Sequence, residues 1–507
     1  MDAVSPRAGS HPILALAQTR PLISSMHSQR PWRLLINGQW RDSTSTLAVE
    51  NPFTAQPIAQ VPLGNPSLLR EAVDAASAAF AEARRQPPHA RASLLLRSAQ
   101  GIAQHRSEFV ALLIAEAGKP RTLAEAEVDR AILTFQLAGE EARRPHGQLL
   151  GLDGVPQGEN HLGWTKRVPL GVIAAITPFN FPLNLVAHKI APALATGNTM
   201  VVKPAPKTPL CALRLAEVLV EAGMPQGQVN FVTCTNENVP LLLSDERVRK
   251  ISFTGSAAVG WPIKERAGRR RVTLELGGNA ALILHEDADW QPAIASIASA
   301  TFGYAGQSCI SIQRILVHAR IYDAFRSALL AHIAAQVHTG DPQLPSTLVG
   351  PMIDARALDR IDSQVSQATA DGALVLCGGR RSGPCYEPTV LENLPPHCAL
   401  ALEEAFAPVA SLHRYEQFSE AIGCVNASPY GLQTGVFTKD IERAMQAFDH
   451  LEVGAVLINQ VPTWRVEHMP YGGTKASGFG REGIQYAMEE MTELRSLILR
   501  NIPRTTT

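Results

Sequence analysis

The feature that most constrains the fold is an alternation of strand-like and helix-like segments that begins at Gly171. Apolar runs typical of strands and segments of helical period follow one another in this order: strand 171–177, helix 182–195, strand 199–203, helix 209–222, strand 229–232 and strand 248–253. Strands that alternate with helices at this spacing indicate a parallel, doubly wound sheet of the α/β class. Ligands of such sheets bind beyond the carboxyl ends of the strands, so functional residues are expected there.

Three unusual sequences stand at those ends: Thr177-Pro-Phe-Asn180, Lys203-Pro-Ala-Pro206 and Phe253-Thr-Gly-Ser256. Asn180 either caps the helix predicted from residue 182 or offers a rigid amide to an oxyanion. Lys203 either reaches solvent or donates to ribose or phosphate oxygens. Gly255 and Ser256 either form a helix N-cap or bind a pyrophosphate with the free N–H groups of the helix start. This last pattern is not the GxGxxG fingerprint of common dinucleotide sites.

A charged side chain interrupts the next predicted strand. Glu275 lies within an otherwise apolar run and precedes Gly277 and Gly278, which leave the backbone open. Burial at a strand end would raise the pKa of its carboxyl toward the range in which it can act as a general base. A structural glutamate in a salt bridge is the alternative.

Cys309 lies among small and polar residues, after Gly303 and Gly306, where the backbone can turn sharply and let another molecule come close. An accessible thiol near backbone N–H donors can have its pKa lowered, and the thiolate is the form that attacks a carbonyl carbon. A small buried hydrophobic side chain is the alternative.

Composition disfavours several classes of function. The 507 residues include 46 Lys and Arg and 46 Asp and Glu, so no net charge favours nucleic acid or an anionic membrane. The seven cysteines are scattered without a CxxC pair, which predicts neither a disulfide framework nor a zinc site, and therefore no metal. Such cysteine usage is typical of the reducing cytoplasm. No apolar run is long enough to cross a bilayer.

The first thirty residues are predicted to be a disordered or mis-started tail. They contain three arginines against one acid and weakly resemble an organellar presequence, and Met26 is a possible start. Structured sequence is expected from a hairpin at 32–40, with Asn37-Gly38 as the turn pair.

A helical region is predicted from residue 66 to 144. Ser67 is the expected cap of its first helix, and further helices are expected at 94–117 and 123–142. Residues 145–165 have no helical period. This segment is predicted to be either an extended arm or hairpin, or a plain linker.

These motifs together resemble those of one family. The relevant sequences are Thr177-Pro-Phe-Asn180-Phe-Pro, Lys203-Pro-Ala, Phe253-Thr-Gly-Ser256, Leu274-Glu-Leu-Gly-Gly278, Gly306-Gln-Ser-Cys309, Glu403-Glu-Ala-Phe406-Ala-Pro and Pro470-Tyr-Gly-Gly-Thr-Lys475-Ala-Ser-Gly. They resemble the successive motifs of the aldehyde dehydrogenase superfamily, in the family's order, from about Leu35 to the chain end. The 34-residue interval from Glu275 to Cys309 also resembles that family's spacing.

The resemblance implies a role for each motif. The Cys309 thiolate would attack the aldehyde, the Asn180 amide would hold the oxyanion, and Glu275 would activate the water that hydrolyses the thioester. Lys203 and Glu404 would hold the ribose groups of NAD or NADP, and Phe406 would pack near the nicotinamide. The cofactor contacts implied in full are Thr177, Pro178, Phe179, Lys203, Ala205, Pro206, Gly255, Ser256, Leu276, Gly277, Glu404 and Phe406, and Lys203 is also placed with the catalytic group.

The family's architecture is expected as well. It implies a variant Rossmann cofactor domain at 31–145 and 170–278, an α/β catalytic domain at 279–480, and a small β oligomerisation element from 146–169 and 481–507. The protein is therefore expected to be a homodimer or homotetramer.

Two departures from the family pattern bear on function. Ala407 replaces the glycine of the usual Phe-Gly-Pro sequence, which removes backbone freedom after Phe406. Pro206 replaces a glutamate that many NAD-preferring members use to bind the adenine ribose, so NAD is expected to be somewhat preferred and NADP to be tolerated.

The segments 306–314 and 464–470 resemble the lactaldehyde dehydrogenase-like branch. Arg465 is expected near the substrate mouth, where it either pairs with an anionic or hydroxylated group or is a surface arginine paired with Glu467. The neighbours of the reacting centre, Phe181 and Ser308, are uncharged. Small hydroxyaldehydes and semialdehydes are therefore predicted to be preferred over phosphonoacetaldehyde and neutral aldehydes. A CoA-acylating enzyme and a catalytically silent homologue are the alternatives.

Overall fold

The structure, a computed structural model, describes residues 30–144 and 147–500. The predicted N-terminal tail lies outside these residues, apart from its last residue, Arg30. The hairpin expected after it is confirmed, because residues 34–36 pair with residues 39–41 around Asn37 and Gly38, both of which have positive φ.

The strands of the described residues form two large sheets and several small ones. The first half of the chain contributes β1 (Leu34–Ile36), β2 (Gln39–Arg41), β3 (Thr46–Glu50), β4 (Pro57–Pro62), β5 (Leu149–Leu150), β6 (His161–Pro169), β7 (Val172–Ile176), β8 (Thr199–Lys203), β9 (Val229–Phe231), β10 (Val248–Thr254) and β11 (Arg271–Glu275). The second half contributes β12 (Ala280–Leu284), β13 (Ile312–His318), β14 (His338–Thr339), β15 (Thr347–Val349), β16 (Leu374–Cys377), β17 (Arg381–Ser382), β18 (Cys385–Tyr386), β19 (Thr389–Glu392), β20 (Val409–Tyr415), β21 (Tyr430–Gly431), β22 (Gln433–Phe437), β23 (Ala455–Ile458), β24 (Thr474–Lys475), β25 (Gly478–Phe479) and β26 (Thr492–Arg500).

Helices cover both faces of the large sheets. They are α1 (Pro66–Ala83), α2 (Pro88–Gln104), α3 (Arg106–Ala117), α4 (Arg121–Glu141), α5 (Asn184–Thr196), α6 (Leu210–Glu221), α7 (Val239–Ser244), α8 (Ala257–Arg266), α9 (Ile294–Phe302), α10 (Tyr322–Gln336), α11 (Ala355–Ala370), α12 (Ala399–Leu402), α13 (Phe418–Asn426), α14 (Ile441–His450) and α15 (Ile484–Glu490). Within residues 30–144 and 147–500, none of them has both the length and the apolar character needed to span a bilayer.

The first large sheet has the strand order β2-β1-β9-β8-β7-β10-β11-β25, and its five strands from β9 to β11 are parallel. Successive residues of β7 enter opposite cores, since Ile173 packs into one apolar cluster and Ala174 into another. This confirms the predicted α/β class. The carboxyl ends of the parallel strands lie together, because Ile176 is opposite both Lys203 and Phe253 in the strand registers.

The second large sheet has the order β16-β19-β20-β13-β12-β22-β23, and all of its strands except β16 are parallel. The segment that contains Cys309 lies directly before β13, so the cysteine stands at the amino edge of this sheet. The two sheets thus meet with the carboxyl edge of one near the amino edge of the other.

A third sheet has the order β26-β6-β5. The long strands β6 and β26 pair over nine residues, so the segment predicted as either an arm or a linker is an arm. The division into cofactor, catalytic and oligomerisation units stays a prediction. The structure adds that β25, within the predicted catalytic domain, pairs with β11 of the first sheet.

Several local predictions were wrong at helix ends. The helix expected at 94–117 is two helices that meet at His105. The cap of α1 is Asn65, whose side chain accepts from the Leu68 N–H at 3.0 Å, because Pro66 then takes the first helical position.

Candidate active site

A cavity of about 1080 Å³ extends from the carboxyl edge of the first sheet to the segment before β13. All of the residues predicted for the site line it: Thr177, Pro178, Phe179, Asn180, Phe181, Lys203, Ala205, Pro206, Gly255, Ser256, Glu275, Leu276, Gly277, Ser308, Cys309, Glu404, Phe406 and Arg465. Residues from distant parts of the chain therefore meet around a single space.

A strained turn presents Cys309 to this cavity. After α9, the turn Gly303–Gly306 places Tyr304, Ala305 and Gly306 in the left-handed region, with φ of 54°, 52° and 64°. Left-handed backbone costs non-glycine residues roughly 1–2 kcal/mol each. The turn is held in place in part by the Tyr304 hydroxyl, which donates to the carbonyl of Ala117 at 3.1 Å.

The amide of Asn180 lies beside the same turn. Its Nδ2 donates to the carbonyl of Gln307 at 3.0 Å, and its Oδ1 is buried and has no partner in the described part of the chain. Asn180 does not cap α5, whose cap position is Leu183. The Gln307 side chain is fixed in turn, because its Oε1 accepts from the Ile353 N–H at 2.9 Å. The Asn180 N–H group is therefore oriented before any ligand arrives.

The carboxylate of Glu275 closes β11 and is buried, and within residues 30–144 and 147–500 neither of its oxygens has a hydrogen-bond partner. Burial raises its pKa well above the ordinary value, and the charge of Glu482 raises it further. A Cβ added at Gly472 would lie 3.0 Å from Glu275 Oε1, so the backbone leaves room for this side chain. The ionised form of Glu275 is thus a stronger base than an ordinary carboxylate, and its oxygens are open to the cavity.

The thiol of Cys309 has one hydrogen-bond partner among the described residues, the hydroxyl of Tyr471 at 3.2 Å. Burial raises the pKa of Cys309 to about 12, against which this hydrogen bond and the charge of Arg465 act. The side chain therefore carries its proton at neutral pH in this state.

The other end of the cavity fits a dinucleotide. The hydroxyls of Thr177 and Thr254 are buried there and have no partners among the residues described, which is the condition expected where a polar ligand supplies the partners. Ser256 stands at the N-cap of α8 without making a side-chain cap bond. Lys203 is buried, and its Nζ donates to Asn236 Oδ1 at 2.8 Å. Hydroxyl, ammonium and helix-start N–H groups suit ribose and phosphate oxygens.

Glu404 joins this end of the cavity to the Gly277-Gly278 pair. Its carboxylate accepts from the Gly278 N–H at 2.9 Å, and a Cβ added at Gly277 would lie 2.4 Å from the same carboxylate. Burial raises the pKa of Glu404 to about 7.

The alanine at position 407 does not strain the backbone. The left-handed residue here is Phe406, with φ of 46°, and Ala407 itself needs no positive φ. The ring of Phe406 packs edge-on against that of Phe179, with the centroids 5.8 Å apart.

Arg465 is not a surface arginine, since only 5% of its side chain is exposed. Its guanidinium lies 3.7 Å from the Glu482 carboxylate and 3.7 Å from the centre of the Tyr471 ring, and its Nε has no partner in the part of the chain that the structure describes. Glu467, the partner in the alternative interpretation, instead pairs with His188 and Arg130, each at 2.6 Å. Arg465 therefore faces the cavity.

The chain matches the model of the aldehyde dehydrogenase family over residues 40–497. The chain belongs to the aldehyde dehydrogenase family. It is similar to the 3-sulfolactaldehyde dehydrogenase of Priestia aryabhattai, with 41% identity over 478 residues, which are 94% of this chain and 100% of the relative.

Solved structures agree with this membership. Aldehyde dehydrogenase 21 from Physcomitrella patens, in complex with its reaction product succinate, has a TM-score of 0.91 and 38% identity, and the match covers 94% of this chain and 99% of that one. The glyceraldehyde-3-phosphate dehydrogenase GapN from Methanocaldococcus jannaschii, complexed with NADP, has a TM-score of 0.86 and 36% identity over 91% and 99%. At the level of the family, the predictions of the fold, of a dehydrogenase acting on aldehydes and of an NAD or NADP cofactor are confirmed.

Sequence reasoning missed four residues around the reacting centre of this aldehyde dehydrogenase. Tyr471 and Glu482 lie within or just after the motif that begins at Pro470, so the motif could have indicated them. Arg130 in α4 and His188 in α5 gave no such signal, because neither helix carries a recognisable site pattern.

One group of metal-ligand side chains occurs among the described residues, although no metal site was predicted. The ligand atoms of His285, Glu286 and His318 lie within 4.8 Å of one another. Protein groups already engage two of them, since His285 Nδ1 lies 3.0 Å from the Tyr415 hydroxyl and Glu286 pairs with Arg320 at 2.6 Å. His318 ends β13, so the group lies at the far end of that strand from Cys309.

Proposed function

We propose that this aldehyde dehydrogenase oxidises small aldehydes that carry a hydroxyl or an anionic group, such as hydroxyaldehydes and semialdehydes, to carboxylates. The observation that carries this proposal is the buried guanidinium of Arg465, whose Nε lacks a partner among the described residues and lies in the cavity that contains Cys309. A buried N–H group of a cation is costly to leave unpaired, so a ligand oxygen is the expected partner.

The charges around Arg465 support a substrate with a single negative charge. The cations Arg130, Lys189 and Arg465 surround the carboxylates of Glu467 and Glu482. Burial alone would raise the pKa of both carboxyls. At Glu467, His188 and Arg130 lower the pKa by more than burial raises it. At Glu482, Lys189 and His188 have the same effect. The pKa of each is therefore well below the ordinary value, and both are ionised.

Arg130 and Arg465 of this group line the cavity and place positive charge at its wall. This suits a carboxylate or sulfonate of one negative charge better than a phosphonate dianion, because Phe181 and Ser308 contribute no further charge. Two similar proteins fit this ranking, since one is named for 3-sulfolactaldehyde and another holds succinate as its reaction product.

In the proposed mechanism Cys309 is the nucleophile. The Cys309 thiol gives its proton to solvent, and the resulting thiolate attacks the aldehyde carbon to form a thiohemiacetal. The Asn180 Nδ2–H and the Cys309 backbone N–H would stabilise the oxyanion. The geometry supports this role for Asn180, because its amide is already held beside the turn at Gln307.

The residues at the other end of the cavity would hold NAD or NADP. Lys203 and Glu404 would bind the ribose hydroxyls, and Gly255 and Ser256 the pyrophosphate. NAD or NADP held there would supply the acceptor for the hydride that leaves the thiohemiacetal carbon, so that Cys309 is left as a thioester. Pro206 offers no carboxylate to a ribose, so NAD is proposed to be somewhat preferred and NADP tolerated.

Glu275 is proposed to activate the water that hydrolyses the thioester. A water molecule would give its proton to one of the free carboxylate oxygens, and the resulting hydroxide would attack the thioester carbon and expel the Cys309 thiolate. The raised pKa of Glu275 supports this role, because a stronger base takes the proton of water more readily. The presence of a glutamate that can activate water also counts against the CoA-acylating alternative, in which a thiol of CoA would replace the water.

An assay of dinucleotide reduction with an aldehyde panel tests the proposal. A semialdehyde or 2-hydroxyaldehyde should be oxidised more efficiently than the neutral aldehyde of the same length, and CoA should not be required. Dependence on CoA would instead establish acyl transfer, and no reduction with any aldehyde would establish a silent homologue. A clear preference for the neutral aldehyde would contradict the proposed substrate class.

We further propose a cytoplasmic homodimer or homotetramer. The apolar side chains Leu494, Leu497 and Ile498 of the edge strand β26 are exposed, as is Trp164 of its neighbour β6. An exposed apolar strand at a sheet edge favours pairing with another chain. Light scattering of wild type and Leu497→Asp tests this, since the substitution should shift the protein toward smaller assemblies.

A further inference from the structure

The side chains of Tyr471 and Cys309 meet across 162 residues of sequence, with the hydroxyl 3.2 Å from Sγ. Within the described part of the chain, this hydroxyl is the sole hydrogen-bonding group in contact with the thiol. None of the roles proposed above uses it.

The position of the Tyr471 ring is fixed on several sides. Its backbone N–H donates to the carbonyl of Glu482 at 3.0 Å, and the Glu482 N–H donates back at 2.7 Å. The ring is buried, and the guanidinium carbon of Arg465 stands 3.7 Å from its centre. The hydroxyl therefore points at Sγ without the entropic cost of ordering a free side chain.

We propose that Tyr471 is a catalytic residue whose O–H donates a hydrogen bond to the Cys309 thiolate that attacks the aldehyde. This inference rests on the proposed role of Cys309 as nucleophile. A thiolate can only accept, so ionisation of Cys309 makes the phenol the donor. The Arg465 cation on the ring face draws negative charge toward the ring, which strengthens the O–H as a donor.

The chemistry needs such a donor because burial opposes ionisation of the thiol. Burial raises the pKa of Cys309 to about 12, and the Tyr471 hydrogen bond lowers it. Tyr471 itself stays a neutral phenol, since burial raises its pKa well above the ordinary value. Lowering the pKa of the thiol also makes its thiolate a weaker nucleophile. With a Brønsted slope of about 0.4–0.5, this loss is smaller than the gain in the fraction of thiolate as long as the pH is below the pKa of the thiol.

The experiment measures alkylation of Cys309 by iodoacetamide, which is neutral and so is not attracted by Arg465. Tyr471→Phe keeps the ring and its contact with Arg465 and removes only the O–H. The alkylation rate between pH 7 and 9.5, followed on the peptide that contains Cys309, should fall about three- to tenfold, because hydrogen bonds to charged groups are strong. The kcat/KM for a neutral aldehyde should fall to a similar extent, and the Kd of the dinucleotide should not change.

A second variant distinguishes hydrogen bonding from packing. Fluorotyrosine at position 471 has nearly the shape of tyrosine and a more acidic O–H, so it should accelerate alkylation. Tyr486→Phe makes the same deletion outside the cavity and should leave the rate unchanged. The inference would be overturned if Tyr471→Phe and the fluorotyrosine variant were both alkylated at the wild-type rate.

Cys309→Ser keeps this test separate from that of the proposed function. If Cys309→Ser retains dehydrogenase activity, the proposed nucleophile is wrong whatever Tyr471 does. If Cys309→Ser is inactive and Tyr471→Phe alkylates at the wild-type rate, only the role of Tyr471 is overturned.

Discussion

The backbone N–H of Gly278 donates a 2.9 Å hydrogen bond to the carboxylate of Glu404, although 126 residues separate the two. This bond ties the segment after β11, in the first sheet, to the segment before β20, in the second. It places Glu404 against Gly277 and Gly278, where the cavity is proposed to receive a ribose.

Gly277→Ala should weaken cofactor binding. A Cβ at Gly277 would lie 2.4 Å from the Glu404 carboxylate, which would have to move. Loss of one charge-assisted hydrogen bond predicts a KM for NAD about tenfold higher or more. Gly423→Ala is the matched control, since no atom lies within 4 Å of the added Cβ. Equal KM values for the two variants would show that Glu404 is not needed in this position.

Arg465→Ala should lose activity selectively on anionic substrates. A charge-assisted hydrogen bond is worth about 1.5–3 kcal/mol, which predicts a loss of about ten- to a hundredfold in kcat/KM on a semialdehyde. The neutral aldehyde of the same length should be affected much less. Arg381→Ala, an exposed arginine outside the cavity, is the control. Equal losses on both substrates would remove the specificity role.

The strand ends that form the cavity could be predicted from the sequence. Runs such as Met200-Val-Val202, which precedes Lys203, are apolar, and the rules of parallel sheets place the carboxyl ends of such strands on one edge. The resemblance then brought in Cys309 and Glu404 from the second sheet, which no local pattern relates to the first.

The environment of Arg465 could not be predicted in the same way. Its burial depends on Glu482 and on Tyr471, whose positions follow from the packing of loops and not from periodicity. Arg130 was missed because an arginine within a helix does not show which face it occupies. The cap of α1 was predicted wrongly for a local reason. Asn65 and Ser67 are both good caps, and the proline between them makes Asn65 the cap because proline favours the first helical position.

Pro206→Glu should penalise NADP. A carboxylate at this position would repel a 2′-phosphate, so the ratio of kcat/KM for NAD over NADP should rise about tenfold or more, as for a charged interaction of about 1.4 kcal/mol. Pro206→Gln has the same size without the charge and should leave the ratio closer to wild type. No change in the ratio with glutamate would mean that residue 206 does not face the adenine ribose.

Glu467→Gln should destabilise the fold in a pH-dependent way. Removing one partner of a buried ion pair costs about 3–5 kcal/mol, and less where a partner such as Arg130 is partly exposed. Because His188 and Arg130 hold the pKa of Glu467 far below its ordinary value, its contribution is present above about pH 4.5 and is lost as the pH falls below that.

Urea unfolding of wild type and Glu467→Gln at several pH values checks this expectation. Glu452→Gln is the control, since Glu452 is an exposed partner of Lys475 and should contribute at most about 1 kcal/mol. A difference between wild type and Glu467→Gln that grows as the pH falls would contradict the sign of the effect.

Rapid mixing of Glu275→Gln with NAD and a semialdehyde tests whether Cys309 forms a thioester that Glu275 helps to hydrolyse. Acylation does not need the base, so we expect a burst of reduced dinucleotide equal to the number of active sites, followed by turnover far slower than wild type. Cys309→Ser should show neither phase while it still binds NAD. A steady wild-type rate without a burst in Glu275→Gln, or most of the wild-type rate in Cys309→Ser, would show that this mechanism is wrong.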